Sequence, residues 1–409
     1  LVASSIGALP FALILPELSV AGAFFESASG LTTTGASVLA ELERLPASLH
    51  FWRCGSQWIG GLGVVVFFVA ILSFLGVGAK TLFSRESSAQ AADLDTARIQ
   101  KGVLRITQIY IALSFLCFVA YRACGLPTFE ALLHMFTTIS TGGFSTRTAS
   151  LLAFQNPALE WTAIAFMTIG GTSFLLINEL LRGQFAKVLN NTELRAYGAI
   201  IVSASLLIVG FLYHGDSVSA SIMASLRISA FQVVSILTTT GFATADYTAW
   251  LPVTHLLLLT LMFIGGCSGS TAGGAKVIRW AVWVRVSILT VERAYRPRVV
   301  RPLHLNGKPL PQDQINSVSS YLILLVLVLA LALLAIAFFE PQMSFAGTVS
   351  AVAACLFNVG PGLAEVGPAF NFAGLHAYSK VFLSLLMIMG RLELFAILVL
   401  FSPTLWKRY

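Results

Sequence analysis

This 409-residue sequence predicts an all-α polytopic membrane protein, with four tandem units set parallel around a central pore. Three observations lead there: a composition that no water-facing surface tolerates, seven apolar stretches of spanning length, and two short signatures that recur together four times. Hydrophobic residues make up 57% of the chain and charged residues 11%, with a mean hydropathy of +0.84. A soluble domain carries about 25% charged residues. Soluble, disordered, nucleic-acid-binding and small disulfide-scaffold classes are therefore excluded.

A helix crosses the hydrocarbon core with about 20 apolar residues. Full spans are expected over 57–79, 103–125, 158–182, 196–214, 252–290, 317–339 and 377–402. The stretch 1–15 reads as the tail of an eighth, because the chain opens at Leu1 inside an apolar run with no leader pattern before it. Shorter apolar pieces at 21–32, 128–139, 219–238 and 343–357 run into polar, glycine-bearing turns and read as re-entrant helices. Basic residues set the sidedness. The net charge is +7, and 18 of the 25 Lys and Arg fall in the connections 76–105, 182–195 and 276–308 and at the C-terminus, which places those segments in the cytoplasm. All four re-entrant turns then face the outside.

The turns read Thr32-Thr33-Thr34-Gly35, Ile139-Ser140-Thr141-Gly142-Gly143, Thr238-Thr239-Thr240-Gly241 and Phe357-Asn358-Val359-Gly360. Aligned on Gly35, Gly142, Gly241 and Gly360, they lie 107, 99 and 119 residues apart. Each following span carries a second signature: Trp58-Ile59-Gly60-Gly61, Thr168-Ile169-Gly170-Gly171, Phe263-Ile264-Gly265-Gly266 and Ile388-Met389-Gly390-Arg391. The expected units are 1–80, 81–188, 189–300 and 301–409. Such a plan suits a cation pore. Glycine permits the backbone geometry that stacks carbonyls along an axis, and those carbonyls replace an ion's water shell. Thr33, Thr34, Ser140, Thr141, Thr239, Thr240, Asn358 and Val359 are the expected ion contacts. Each short helix adds roughly half a negative charge from its C-terminal end.

Within the span 252–290, ten residues (Gly265, Gly266, Cys267, Ser268, Gly269, Ser270, Thr271, Ala272, Gly273, Gly274) include five glycines and cannot hold a lipid-facing helix. The Walker-like spacing of Gly269 and Gly274 fails, because Ala275 precedes Lys276 and Val277 stands where Ser or Thr is needed. A flexible loop beneath the turns, over about 265–275, is the better reading. Arg391 is expected to donate to its carbonyls, because an intramembrane guanidinium is costly unless paired; pairing with Glu179 in a structural role is the alternative.

Glu26 and Glu130 are expected to cap the short helices, with ion binding as the alternative. Asp246 and Glu365 either concentrate cations at the mouth or lie in a plain solvated loop. Cys54, Cys117, Cys124, Cys267 and Cys355 read as packing residues, and the six His form no ligand pattern. No catalytic set emerges, so an enzyme is not expected. The basic loop 292–316, with Arg293, Arg296, Arg298, Arg301 and Lys308, reads as positive-inside topology with lipid headgroup contact, or as a docking surface.

On these residues the chain resembles the K⁺-channel superfamily, and in detail the TrkH-type membrane subunits of bacterial Trk potassium uptake systems. The matching runs are Phe24-Phe25-Glu26 leading into Gly30 to Gly35, Ser140 to Ser145, Leu237 to Phe242, Asn358-Val359-Gly360-Pro361-Gly362, Gly390-Arg391-Leu392-Glu393 and the ending Pro403-Thr404-Leu405-Trp406. The resemblance implies a K⁺-selective filter at the four turns, the 265–274 loop as its gate, and no bound cofactor besides the transported K⁺. It further implies a homodimer in the bacterial inner membrane with filters facing the periplasm, and a cytosolic TrkA-like nucleotide-binding regulatory subunit. Such subunits carry two more spans before the first repeat, so the chain reads as N-terminally truncated. A secondary transporter coupling K⁺ to H⁺ or Na⁺ is the competing reading. It needs a charged midplane residue, for which Arg391, Glu393, Glu179 and Lys276 are the candidates.

Overall fold

The computed structural model describes residues 1–83, 90–214, 221–296 and 302–392, together with 394 and 397; the side chains of 67–99, His214 and Lys308 are outside that description. Arg298, Arg301, Glu393 and the Pro403-Thr404-Leu405-Trp406 ending also lie outside the described residues.

Helices α1 (Val2–Gly7) and α2 (Leu9–Ile14) occupy the expected tail of a span, broken at Ala8. Pro10 has no N–H for the preceding turn, which accounts for the break. The four expected short helices are α3 (Val20–Leu31), α6 (Thr128–Ile139), α11 (Ile222–Leu237) and α15 (Phe345–Leu356), with α4 (Ala47–Phe83) and α5 (Gln90–Ala123) between the first two. Serine caps three of them: the side chains of Ser19, Ser221 and Ser344 accept from the N–H of Gly22, Ala224 and Gly347.

Two spans break where continuous helices were expected or only partly interrupted. The stretch 158–182 divides into α7 (Pro157–Gly170) and α8 (Phe174–Leu181), bent 97° apart, so it is not one straight span. The cause is the Gly170-Gly171 pair: both carbonyls accept from residues of the 265–274 loop instead of continuing the helix. After α9 (Phe185–Leu189) and α10 (Thr192–His214), the stretch 252–290 divides into α12 (Pro252–Ile264) and α13 (Val277–Tyr295) around that loop. A two-stranded hairpin, β1 (His304–Leu305) and β2 (Lys308–Pro309), leads into α14 (Gln312–Phe339), and α16 (Ala377–Arg391) follows α15. Outward-facing Leu104, Phe115, Val202, Leu206, Ile323 and Leu334 leave an apolar exterior on α5, α10 and α14, as lipid contact requires.

Each short helix packs against the long helices of its own unit and against the closing helix of the unit before it. Thus α6 packs on α4, α11 on α7, α15 on α12, and α3 on α16. The last contact closes the series into a ring. Its polar turns meet at the centre.

Candidate ion pathway and gate

The turns at the ends of α3, α6, α11 and α15 share one backbone path. The first turn residue is left-handed in every unit, with φ of 51° at Thr33, 51° at Thr141, 55° at Thr239 and 56° at Asn358. Non-glycine residues rarely adopt that conformation, and Asn does so more readily than most, which suits it to the place of Thr in the fourth unit. Two residues on, Gly35, Gly143, Gly241 and Gly360 have φ of 85°, 77°, 80° and 101°.

The second unit therefore differs from the alignment on Gly142. Gly143 is the counterpart of Gly35, Gly241 and Gly360, while Gly142 stands in register with Thr34, Thr240 and Val359. The reason is packing. A side chain at Gly142 would collide with the Gln57 amide, which occupies the space that the side chains of Thr34, Thr240 and Val359 fill in the other units. Gln57 Nε2 donates to the Gly142 carbonyl at 2.6 Å, and Gln57 Oε1 accepts from Phe144 N–H at 3.1 Å. Ser140 moves with it, to the helix-capping position of Thr32, Thr238 and Phe357.

The ring closes at backbone level. A Cβ on Gly35 would collide with the Gly142 carbonyl, on Gly143 with that of Thr240, on Gly241 with that of Val359, and on Gly360 with that of Thr34. Each turn thus lies against the carbonyl of the next, and the fourth returns to the first. The N–H groups of Thr34, Gly142, Thr240 and Val359 are turned back to Ser29, Thr137, Ser235 and Ala354 carbonyls at 2.8–2.9 Å. Donors are withdrawn into the helix ends. The Thr34, Thr240 and Val359 carbonyls take no hydrogen bond among the described residues, while that of Gly142 is held by Gln57, and the helix C-termini beside them add partial negative charge. Gly35, Gly143, Gly241 and Gly360 line one cavity of about 90 Å³ on the side away from the 265–274 loop.

That loop lies across the opposite side and touches three units. Thr271 Oγ1 donates toward the Ile139 carbonyl at 3.0 Å and the Gly170 carbonyl at 3.1 Å. Gly273 N–H donates to Thr239 Oγ1 at 2.6 Å, and Gly274 N–H to the Phe357 carbonyl at 3.0 Å. Arg391, only 8% exposed, donates from Nη1 to the Thr271 carbonyl at 2.7 Å, while Nε and Nη2 are buried without a partner in the described residues. Glu179 does not meet Arg391. It is ion-paired with Lys187. The loop is anchored on its other flank: Ser268 N–H donates to Glu193 Oε1 at 2.6 Å, Gly269 carbonyl accepts from Phe174 N–H at 2.9 Å, and Lys276 Nζ donates to the Ala272 carbonyl.

A model of the TrkH family of cation transport proteins matches residues 1–408. The chain belongs to the TrkH family. It is 38% identical to the Trk system potassium uptake protein TrkH of Salmonella typhimurium, over 99% of this chain and 84% of that one. It is 35% identical to the Trk system potassium uptake protein TrkI of Halomonas elongata, over 99% and 82%. The crystal structure of the potassium transporter TrkH from Vibrio parahaemolyticus superposes with a TM-score of 0.89 at 36% identity, covering 99% of this chain and 83% of that chain.

In this TrkH-family chain each acid near the turns holds a hydrogen bond or an ion pair. Glu26 lies seven residues after the Ser19 cap, inside α3, and not at its N-terminus. Fully buried, it accepts from Arg53 Nε at 2.5 Å and from Val38 N–H at 3.0 Å. Arg53, 1% exposed, also donates to the Ser145 carbonyl at 2.8 Å and lies over the Phe144 ring. The pair joins the first unit to the second behind the turns. Glu130 does sit in the first turn of α6, where it also binds Arg147 at 3.0 Å. Asp246 accepts from Thr248 N–H at 3.0 Å. Glu365 holds the start of α15: Ser344 N–H donates to its Oε1 at 3.0 Å and Ser344 Oγ to its Oε2 at 2.8 Å. Partial burial pushes the Glu365 carboxyl up, but its own backbone N–H and the Ser344 hydroxyl and N–H outweigh that, leaving it below the usual carboxylate value. Gln57, Gly143, Arg53 and Glu193 are site residues that motif reading missed, since each is defined by a contact far away in sequence.

Proposed function

We propose that this chain takes K⁺ into a bacterial cell across the inner membrane, through a gated, cation-selective pore whose filter faces the periplasm. The observation that carries the reading is the closed ring of turn carbonyls, with the glycine-rich loop lying beneath it. The potassium uptake and transport named for its TrkH and TrkI relatives supplies the ion.

In this reading Thr33, Thr34, Gly35, Thr141, Gly142, Gly143, Thr239, Thr240, Gly241, Asn358, Val359 and Gly360 form the filter, with Ser140 at its inner edge. Residues 265–274 and Arg391 form the gate. Four units, near 1–80, 81–188, 189–300 and 301–409, each supply one quarter of the pore. A pore is favoured over a coupled carrier because the acids near the pathway are already engaged: Glu26 by Arg53, Glu130 by Arg147, Glu179 by Lys187 and Glu193 by the Ser268 N–H. Among the described residues none of these four is left free to carry a coupling proton or Na⁺; Glu393 lies outside that description. A homodimer and a cytosolic nucleotide-binding subunit of the TrkA kind complete the proposal; the relatives' naming as parts of a Trk system supports a multi-component assembly.

The test is the reversal potential of the reconstituted protein across a K⁺/Na⁺ gradient, for wild type and Gly35→Ser. The expected wild-type value lies near the K⁺ potential at every pH and moves toward zero in the variant. A value that tracks the proton or Na⁺ gradient would instead establish coupled transport.

A further inference from the structure

The break between α12 and α13 opens a groove of about 1050 Å³ on the outer surface of the third unit, at the top of the ~300–1,000 Å³ range of ligand sites. Its walls are α10, α12 and α13. Its polarity is graded along its length. Leu256, Ile200, Leu259 and Phe263 make one end apolar, while Arg195 and Arg285 stand at the other. Exposed Arg195 lies in the first turn of α10, at the end that the basic connections assign to the cytoplasm. Arg285 leans on the His304 carbonyl at 2.8 Å but remains exposed.

An apolar trough inside the hydrocarbon layer that ends in two arginines at the cytoplasmic headgroup level has the charge and shape of one molecule type. We propose that the groove binds an anionic phospholipid of the inner leaflet, with an acyl chain along Leu256, Leu259 and Phe263 and its phosphate between Arg195 and Arg285. A zwitterionic lipid would bring the same chain without the net charge that the two arginines select.

The groove floor is continuous with the candidate gate. Trp280 Nε1 donates to the Phe263 carbonyl at 3.3 Å, which also accepts from Ala275 N–H at 3.2 Å. Val277 N–H holds the Gly266 carbonyl at 3.0 Å, and the Phe263 ring packs on Phe357 at 4.7 Å. A chain seated on Phe263, Trp280 and Val277 therefore steadies the two hinges of the 265–274 loop. Only the sidedness of the proposed function enters this inference. Lipid retention is read without ion flux, so failure here leaves the transport reading standing.

Native mass spectrometry of the full chain, released from detergent containing equal phosphatidylglycerol and phosphatidylcholine, tests it. Wild type is expected to retain phosphatidylglycerol in preference, and Arg195→Gln and Arg285→Gln each to cut that preference about five-fold. Val284→Trp, which fills the groove and leaves both arginines, is expected to abolish retention of either lipid. Equal retention of the two lipids by wild type, or an unchanged preference in the double arginine variant, overturns the proposal. So does efficient disulfide formation between two copies carrying Leu256→Cys, which assigns the groove to a second chain.

Discussion

The backbone N–H of Gly273 donates to the side-chain oxygen of Thr239 over 2.6 Å, tying the intramembrane loop to the turn of its own unit. The matching hydroxyl in the first unit, Thr33 Oγ1, is buried with no partner in the described residues. Thr239→Val leaves the Gly273 N–H unpaired when the loop is seated, a penalty of about 1–3 kcal/mol. Rubidium flux into vesicles without added nucleotide is expected to rise about ten-fold in Thr239→Val, and to show no such rise in Thr33→Val, whose hydroxyl holds no loop donor. Equal fluxes in the two variants would show that the loop contact does not hold the pathway shut.

Arg391 acts on the same loop from the fourth unit. It stands where the other three units place Gly61, Gly171 and Gly266, and in the first two of those a Cβ would strike the turn of the next unit. The arginine instead reaches the Thr271 carbonyl at 2.7 Å. A hydrogen bond from a charged donor is worth about 1.5–3 kcal/mol, so Arg391→Gln is expected to raise basal flux about ten-fold or more, with Arg391→Lys between it and wild type. Patch recordings of the reconstituted protein should show longer openings at unchanged unit conductance. If open probability and leak both stay at wild-type levels, Arg391 has no part in gating.

The register of the second turn separates two adjacent glycines. What a Cβ on Gly143 meets is the backbone carbonyl of Thr240, in a left-handed residue with φ of 77°, and no neighbouring side chain can yield to relieve it. What a Cβ on Gly142 meets is the Gln57 side chain. Gly143→Ala is therefore expected to lose K⁺ over Na⁺ selectivity in reversal-potential measurements, whatever stands at 57. Gly142→Ala is expected to regain most of its selectivity when combined with Gln57→Ser. The opposite ranking would restore Gly142 as the counterpart of Gly35.

Those two glycines also mark how far sequence carries. The short helices at 21–32, 128–139 and 343–357 were legible almost to the residue, because apolar runs too short to span end in polar turns whatever surrounds them. The family was legible too, since its motifs are local. Register in Ser140-Thr141-Gly142-Gly143 was not: either glycine fits the pattern, and only Gln57, 85 residues away, decides between them. Glu26 was misread as a helix cap for the same reason, its partner Arg53 lying 27 residues on. The bend after Gly170 needed the loop's donors at Cys267 and Thr271, which no local periodicity contains.

Glu365 supplies a pH test beside the fourth turn. Its carboxylate bridges the N–H and hydroxyl of Ser344 at the start of α15, and its own backbone N–H together with those two bonds outweighs partial burial and holds it below the ordinary value of about 4.3. A depressed folded value means that the native state favours the ionised form. The added stability is therefore fully present above the ordinary value and is lost as pH falls through the lower folded one. The melting temperature of wild type in detergent should exceed that of Glu365→Gln at pH 6, and the two should converge toward pH 3. Because every other carboxylate titrates equally in both proteins, the difference isolates this one. A gap that stays constant with pH would mean that Ser344 is held by the shape of the loop and not by the charge.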